Sequence, residues 1–373
     1  MRVLFWLAVF GCVYSYALYP LLLRLIPSRR PLRGLAAVTP SVSLIIACRN
    51  EARRLRHKLD NALCLDYPDL EIIVCSDASD DGSDAIVAGY APRGVRLVRS
   101  PERRGKEHAQ GLAIAEARGE ILVFSDAGTD LPADSIRVLV EDLSDPSVGA
   151  VSSEDRFISA DGSVVGEGAY VKYEMWLRRL ESERSGLVGL SGSFFAIRRS
   201  ILGNWDAGIP SDFACALYAV RAGARAISDP RMVGIYSDIK DPGKEYARKI
   251  RTAVRGMTAM ARLAEVLNPF RYGWFSFQVW GHKLMRWLVP WCMLLLLLSS
   301  AWLAPQSRFY ATALGLQLLA YALVALCHWM PVLQRFVLLR LAYFFVQVNL
   351  ALAAAGIAFL SGRRIVTWEP SAR

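Results

Sequence analysis

Long apolar runs stand near both ends of the chain, and a mixed section lies between them. Residues Val3–Leu23 are apolar apart from small or aromatic polar residues, and three similar runs follow the mixed section: Trp287–Leu303, Phe309–Met330 and Phe336–Leu360. At ~1.5 Å per helical residue, each run is long enough to cross a hydrocarbon core of about 30 Å. The pattern predicts one membrane-spanning helix before the mixed section and three after it.

Basic residues predict the orientation of the first helix. Four arginines follow it closely: Arg24, Arg29, Arg30 and Arg33. Because cytoplasmic flanks carry an excess of Lys and Arg, this end is expected inside the cell. The apolar run is too long for a signal peptide and lacks its small-residue cleavage site. If all three later runs cross, the C-terminus lies outside, where Arg363 and Arg364 oppose the same tendency, so its side stays open.

A different pattern occurs just before the C-terminal apolar runs. Residues Phe270–Trp280 interleave Phe, Trp and Tyr with Arg271, Gly273 and Gln278. Aromatic and cationic residues in this mixture favour a helix that lies in the headgroup layer of a membrane. A helix of the protein core is the alternative interpretation.

The section between Ser41 and Val266 alternates short β-rich runs with helical ones. Candidate strands are Val42–Ala47, Leu70–Ser76, Val95–Val98, Ile121–Ser125 and Val148–Ser152. Candidate helices are Glu51–Leu63, Asp84–Ala88, Lys106–Ala117 and Ala133–Leu143. Nearly continuous apolar strands that alternate with helices predict a parallel sheet covered on both faces, in a layered α/β domain. In such sheets, ligands bind outside the carboxyl ends of the strands.

Composition adds charge to this picture. The chain has 373 residues, of which 54% are hydrophobic and 21% charged, and 44 Lys and Arg against 34 Asp and Glu give a net charge of +10. This excess suits nucleic acid, anionic lipid or a phosphorylated substrate. The position of these charges along the chain must decide between the three, and the partners predicted below include membrane lipid and a nucleotide-sugar but no nucleic acid. The seven cysteines are scattered and predict neither a zinc site nor a disulfide framework, as expected of a reduced, cytoplasmic domain.

Carboxylates follow two of the predicted strands. Asp77, Asp80 and Asp81 come after the second strand, and Asp126 and Asp130 come after the fourth. Asp80 or Asp81 could simply cap the next helix. Asp126 lies too far before Pro132 for that role, and hard oxygen ligands at a cleft suit Mg²⁺ or Mn²⁺ held together with substrate phosphates. No P-loop, GxGxxG loop or hydrolase triad is present.

Several motifs occur together in a familiar order. They are Ser41–Glu51, Ser76-Asp77, Gly105-Lys106, Ser125-Asp126-Ala127, Gly192 with Phe195–Arg199, Ser211-Asp212-Phe213, Arg248–Arg251, Gly281–Trp287 and Gly362–Pro370. With these motifs the chain resembles the membrane-bound family 2 glycosyltransferases, which have the GT-A fold. The resemblance covers nearly the whole chain and makes chance similarity to another α/β class improbable.

The resemblance implies roles for residues of the donor site. The position of Asp77 recognises the nucleoside, usually uridine, and the loop with Ala47, Arg49 and Glu51 forms part of its pocket. Lys106 belongs to a further donor-binding motif. Asp126 begins the family's DxD motif, which binds the sugar nucleotide and its divalent cation, Mg²⁺ or Mn²⁺. Gly128 departs from the Asp or Asn of that motif, and Asp130 is the candidate second metal ligand.

The resemblance also implies a catalytic base. Asp212 matches the acidic residue that opens a helix beneath the acceptor, and inverting transfer needs such a group because an acceptor hydroxyl is a poor nucleophile until it loses its proton. The alternative is that Asp212 only caps the helix that contains Ala216, Leu217 and Val220.

A cationic stretch follows, with Arg248, Lys249, Arg251 and Arg255. Positive charge stabilises the leaving nucleoside diphosphate, so Arg248 and Arg251 are predicted to bind the donor. Processive relatives have QxxRW here, and this chain lacks the Gln and the Trp, which leaves single transfer and short polymerisation open. A basic face that binds anionic lipid is the alternative.

The resulting prediction is an inner-membrane, multi-pass enzyme whose catalytic domain faces the cytoplasm. It consists of an N-terminal transmembrane helix (1–27), a GT-A domain (38–266), an interfacial amphipathic segment (267–286), C-terminal transmembrane helices (287–361) and a tail (362–373). It is expected to be an inverting glycosyltransferase that moves a sugar from a nucleotide-sugar donor to a lipid-linked or surface-glycan acceptor. The first candidate for the donor is a UDP-sugar. The rival hypothesis, motivated by Gly128, is a catalytically impaired membrane scaffold or binding protein.

Overall fold

The computed structural model describes residues 1–32, 39–158, 169–237 and 242–363. These residues divide into two compact units. The helical unit contains residues 1–25, 242–254 and 277–363, and the sheet unit contains the described residues from 26 to 237 and from 255 to 276. Each unit is described by itself.

The sheet unit is built on one mixed sheet. Its strands are β1 (Val42–Cys48), β2 (Leu70–Ser76), β3 (Val95–Arg99), β4 (Ile121–Asp126), β5 (Val148–Ile158), β6 (Phe194–Arg198) and β7 (Arg225–Ser237). The order across the sheet is β3-β2-β1-β4-β6-β5-β7. Strands β3, β2, β1 and β4 are parallel, whereas β6 runs antiparallel to both β4 and β5. The carboxyl ends of β1, β2 and β4 therefore meet at one edge.

Helices connect the strands and make up the helical unit. They are α1 (Arg2–Val13), α2 (Tyr19–Leu23), α3 (Ala52–Leu63), α4 (Ser83–Ala88), α5 (Lys106–Glu116), α6 (Ser135–Leu143), α7 (Ala169–Ser182), α8 (Ser211–Arg221), α9 (Pro242–Arg262), α10 (Pro269–Tyr272), α11 (Trp274–Val279), α12 (Met285–Leu303), α13 (Arg308–Trp329) and α14 (Val337–Leu360). The strands and helices predicted from the sequence before residue 144 are confirmed to within about two residues.

The core of the sheet unit follows from the apolar pattern. All seven residues of β1 are buried, as expected of a parallel strand with helices on both faces. Helix α3 buries Leu55, Leu59 and Ala62, which share one face at helical spacing. The five predicted strands run in one direction, and β6, which the sequence did not predict, is inserted antiparallel between β4 and β5. The apolar pattern does not distinguish such a strand from its parallel neighbours.

Apolar helices dominate the helical unit. Within the described residues, four helices are long and apolar enough to cross a membrane: Arg2–Leu23, Trp274–Gln306, Arg308–Trp329 and Val337–Leu360. Large apolar side chains stay exposed along them, including Leu316, Leu319 and Leu338 at 63%, 55% and 81%. A soluble surface rarely carries so much contiguous apolar area, so the unit fits association with a membrane. The predicted apolar helices are confirmed as helices.

The aromatic segment before α12 is not one continuous helix. Helix α10 ends at Tyr272, and Gly273 has a φ of 53°, a conformation that glycine adopts without a Cβ penalty. Helix α11 then begins at Trp274. The expectation of a single helix over Phe270–Trp280 is therefore wrong, because Gly273 interrupts it. Its placement in the headgroup layer remains a prediction.

Candidate active site

Two loops at the carboxyl edge of the sheet have an unusual backbone. Asn50, after β1, and Ala78, after β2, have φ values of 53° and 52°. Such values cost free energy in residues other than glycine and are often held in place at functional sites. Asn50 fastens the two loops together, since its Nδ2 donates to Oδ1 of Asp80 over 2.8 Å and its Oδ1 accepts from the Asp80 amide over 3.1 Å.

The predicted nucleoside pocket lies in these loops. Arg49 is nearly buried and donates to the carbonyl oxygens of Asp77, over 2.9 Å, and Ala78. Ala47 is buried in β1 and is paired in register with Asp126 of β4. Glu51 directly precedes α3 and is partly buried. The structure therefore brings Ala47, Arg49 and Glu51 to the edge where Asp77 and Asp126 end their strands.

Asp77 anchors the next loop. Its carboxylate is buried, at 2% exposure, and accepts from the amides of Arg104 over 2.8 Å and Gly105 over 3.0 Å. Gly105 has a φ of 101°, and Lys106 begins helix α5 directly after it. Asp77 thereby sets the position from which the Lys106 side chain leaves the loop. Asp81 accepts from Ser83, the first residue of α4, and from the amide of Ala52, the first residue of α3, which agrees with its simpler interpretation as a residue that satisfies helix N-termini.

An ion pair occupies the centre of the edge. Nζ of Lys106 lies 2.5 Å from Oδ1 of Asp126 and 3.2 Å from the carbonyl oxygen of Gly192. Burial alone would lower the pKa of Lys106, but the carboxylate of Asp126, with Glu107 and Asp212, outweighs it and raises that pKa above its usual value. Lys106 is therefore a fixed positive charge where the sheet edge would receive an anionic ligand.

Asp212 lies next to the same backbone. Oδ1 of Asp212 accepts from the Phe213 amide over 2.8 Å. A Cβ added to Gly192 would stand 2.8 Å from Oδ2 of Asp212, so any larger residue at position 192 would clash with this carboxylate. The N-cap residue of α8 is Pro210, so Asp212 lies in the first turn, where it accepts from one of the free amides of the helix; its role as a catalytic base remains a prediction. In the first turn the carboxylate is still stabilised by the helix dipole.

The acidic loop after β4 is surrounded by basic side chains of α3. Lys58 is completely buried and donates to Oγ of Ser125 over 2.8 Å and to the carbonyl oxygen of Thr129. Burial lowers the pKa of Lys58 to about 7, against the opposite effect of Asp130 and Asp126. Nε2 of His57 lies 3.0 Å from Oδ2 of Asp130.

The predicted metal ligands form only a sparse donor set. Among the residues that the structure describes, no three acidic, His or Cys side chains come together as a metal centre. Asp126 and Asp130 each contact a basic group, and Gly128 offers no side chain. A cation that takes most of its ligands from substrate phosphates and water needs only one or two carboxylates, so the residues fit that mode of binding and not an all-protein site.

The cationic helix α9 extends over both units. Arg248 and Arg251 belong to the helical unit and are partly buried there. Arg255 belongs to the sheet unit, where its Nη2 pairs with Oε1 of Glu107, the neighbour of Lys106. The structure thus connects Arg255 to the site, while the donor-binding roles of Arg248 and Arg251 remain predictions.

Sequence reasoning missed the contribution of α3. Arg54, Lys58 and Asn61 follow one another at helical spacing. Asn61 exchanges hydrogen bonds of 2.9 and 3.0 Å with the backbone of Leu131. A polar stripe on a helix that also has an apolar face was the available signal, but its target, the loop 125–131, is visible only in the structure.

Comparisons with known proteins agree with this geometry. The family model for glycosyl transferase family 2 matches residues 43–205, which include Asp77, Lys106 and Asp126. A poly-beta-1,6-N-acetyl-D-glucosamine synthase of Staphylococcus epidermidis is 29% identical over 173 residues, or 44% of this chain. One of Staphylococcus aureus is 27% identical over 173 residues. The match spans only 42% of the length of either relative.

A solved structure matches over the full length. The mannosyltransferase PcManGT from Pyrobaculum calidifontis, in complex with GDP-Man and Mn²⁺, aligns with a TM-score of 0.74 and 25% identity, covering 97% of this chain and 99% of that one. The fold and the edge site together define a glycosyltransferase domain of the GT-A type. Residues 43–205 form a domain that matches glycosyl transferase family 2. The predicted family, fold class and enzyme class are thereby confirmed.

Proposed function

We propose that this protein transfers a sugar, with inversion at the anomeric carbon, from a nucleotide-sugar to a lipid-linked or surface-glycan acceptor. The observation that carries the proposal is the arrangement around Gly192: its carbonyl oxygen accepts from Lys106, which pairs with Asp126, and its Cα faces the carboxylate of Asp212. Gly192 thus contacts both Lys106, a positive charge that suits a diphosphate, and Asp212, a carboxylate that suits the role of base for a hydroxyl.

The chemistry divides between these two sides. Asp212 accepts the proton of the acceptor hydroxyl, whose oxygen then attacks the anomeric carbon. The bond from that carbon to the diphosphate oxygen breaks, and its electron pair leaves with the nucleoside diphosphate. Lys106 faces the charge that develops on this leaving group, in a partly buried place where electrostatic stabilisation is strong. Arg248 and Arg251 are proposed to contribute further positive charge.

A divalent cation, Mg²⁺ or Mn²⁺, is part of the proposal. Asp126 would be its first protein ligand and Asp130 a second, direct or through water, with donor phosphates completing the shell. The PcManGT complex, which contains Mn²⁺, supports this assignment. When bound, the cation would supply Lewis-acid stabilisation of the leaving diphosphate.

The donor is proposed to be a nucleoside-diphosphate sugar held by Asp77 and by the loop from Ala47 to Glu51. The resemblance favours a UDP-sugar, and the similarity to poly-N-acetylglucosamine synthases is in line with this. GDP-mannose is the second candidate, because the structure that matches the whole chain contains GDP-Man. Both nucleotides are tested in the experiment below.

The acceptor is proposed to be reached at a membrane, from the cytoplasmic side of the inner membrane. The arginines that follow α2 support this sidedness. In the sheet unit, Phe270 is 99% exposed and Trp274 is 56% exposed. Exposed aromatic side chains of this kind favour contact with lipid headgroups. The domain boundaries proposed from the sequence place this segment between the catalytic domain and the C-terminal spans.

Donor hydrolysis tests the proposal. The purified full-length chain in detergent, with Mg²⁺ or Mn²⁺, is incubated with UDP- and GDP-sugars, and release of nucleoside diphosphate is measured with an Asp126→Asn variant as the control. We expect slow release from one nucleotide class by the parent and none by the variant. If no donor is cleaved and neither UDP nor GDP binds, the scaffold hypothesis replaces this proposal.

A further inference from the structure

Arg54 stands where the acidic motif lacks a side chain. It lies in the first turn of α3 and is partly buried. A Cβ at Gly128 would come within 3.4 Å of its Nη1. Gly128 holds the third position of the motif that begins at Asp126, so the guanidinium occupies the neighbourhood in which a carboxylate or amide would project.

The carboxylates at this edge of the sheet already have other partners. Asp126 pairs with Lys106, Asp130 with His57, and the Asp77 carboxylate accepts from backbone amides. Within the described part of the chain, no ion pair or side-chain hydrogen bond occupies the Arg54 guanidinium, which is neither fully solvated nor neutralised. A partly buried guanidinium without a counterion is costly, and an anionic ligand would remove this cost.

The chemistry of that ligand follows from the guanidinium. Arginine presents a rigid, planar fork of donors that matches phosphate oxygens in pairs, and it stays protonated at any physiological pH. The anion that the proposed function brings to this edge is the donor diphosphate. A carboxylate at position 128 would compete for the same guanidinium, whereas glycine leaves it available.

We propose that Arg54 binds the donor diphosphate directly and thereby takes over part of the charge neutralisation that the missing side chain at position 128 would support through a cation. This inference rests on the proposed function. It predicts that nucleoside diphosphate binds appreciably even without a divalent cation, and that Gly128 is a feature of this binding mode and not a sign of a defective site.

Arg53 provides a matched control. It is the neighbouring residue of α3, carries the same charge and is exposed, so its replacement changes the net charge of the helix equally. An effect of long-range charge alone would appear in both variants, while direct contact with phosphate would appear only at Arg54.

The experiment measures binding of UDP and GDP by calorimetry to the full-length chain in detergent, in EDTA and in Mg²⁺. We expect Arg54→Gln to weaken binding roughly 10- to 100-fold in EDTA and less in Mg²⁺, because a charge-assisted pair is lost. Arg54→Lys should lose less affinity for the nucleotide than Arg54→Gln, and the affinity of Arg53→Gln should stay within about twofold of that of the parent. Gly128→Asp should weaken binding in EDTA by pairing with Arg54. Melting temperatures verify that the variants are folded.

Three other results would contradict the inference, and they distinguish its failure from the failure of the proposed function. If Arg54→Gln binds as the parent does in both buffers, the inference is overturned while the proposed function stands. Equal losses in the Arg53 and Arg54 variants would overturn it as well, since general charge would explain both. If the parent binds neither nucleotide in either buffer, the proposed function fails and the inference fails with it.

Discussion

Gly192 and Asp212 lie so close together that a Cβ on Gly192 would stand 2.8 Å from Oδ2 of the aspartate. Real Cβ atoms do not make contacts this short, so a larger residue would push the carboxylate away. Because the same glycine accepts from Lys106 through its carbonyl oxygen, this one backbone position determines the distance between the proposed base and the proposed donor site.

Replacing Gly192 with alanine is therefore expected to displace Asp212 and to lower sugar transfer at least tenfold, with nucleotide binding changed much less. A misplacement of about 1 Å can cost ~100-fold in rate. Gly315→Ala is the matched control, since nothing lies near the added Cβ there. Transfer assays and nucleotide titrations on both variants check this. Unaltered transfer by Gly192→Ala would mean that the position of Asp212 is unimportant.

Asp212→Asn should reduce transfer by about 10²–10⁴-fold, the usual contribution of a general base, while nucleoside diphosphate affinity stays nearly intact. The base acts on the acceptor and contributes little to donor binding. Asp206→Asn is the control, because Asp206 is a partly exposed aspartate shortly before α8 that pairs with Arg262. Transfer by Asp212→Asn within two- or threefold of the parent would remove Asp212 from the mechanism.

Asp130→Ala should raise the Mg²⁺ or Mn²⁺ concentration needed for half-maximal activity, because one proposed ligand is lost while Asp126 remains. His57→Ala separates this from the loss of the His57–Asp130 contact, since it breaks the contact and leaves the carboxylate in place. Metal titrations of the two variants give the answer. If the metal concentration for half-maximal activity rises equally in both variants, the His57–Asp130 contact explains the effect and metal ligation by Asp130 does not. If it rises in neither variant, Asp130 is only a loop residue.

Arg255→Gln should destabilise the protein by about 3–5 kcal/mol, because it leaves the buried Glu107 carboxylate without its partner. Arg262→Gln breaks an exposed pair with Asp206 and should cost only ~0–1 kcal/mol. Denaturant unfolding, followed by tryptophan fluorescence in detergent, compares the two. Similar small losses would show that the Arg255–Glu107 pair does not support the Lys106 loop.

Phe270→Ser combined with Trp274→Ser should lower transfer to a lipid-linked acceptor far more than donor hydrolysis, because only the first requires docking at a membrane. Both activities are measured with the protein in lipid vesicles. Equal loss of the two activities would indicate a general effect on the folded domain and not on docking at the membrane. Full retention of both would indicate an acceptor that arrives from the cytosol.

The local pattern of the sequence determined the helices before residue 144, the four long apolar helices, the strands up to residue 152 and the edge at which Asp77 and Asp126 lie. Apolar length and periodicity are local properties, and the carboxyl ends of parallel strands share an edge whatever the details of packing. Lys106 was assigned to the site by the resemblance of its Gly105-Lys106 motif to a known family, and not by local periodicity.

The tertiary structure alone decided which side chains meet. The antiparallel insertion of β6 brings Gly192, just before that strand, to Lys106 and Asp212, and α3 turns Arg54 and Lys58 towards the loop after β4. Lys106 contacts residues 20 and 86 positions further along the chain, and Lys58 contacts a residue 67 positions further along. Periodicity shows which face of an element is buried, but strand order and register determine what that face meets.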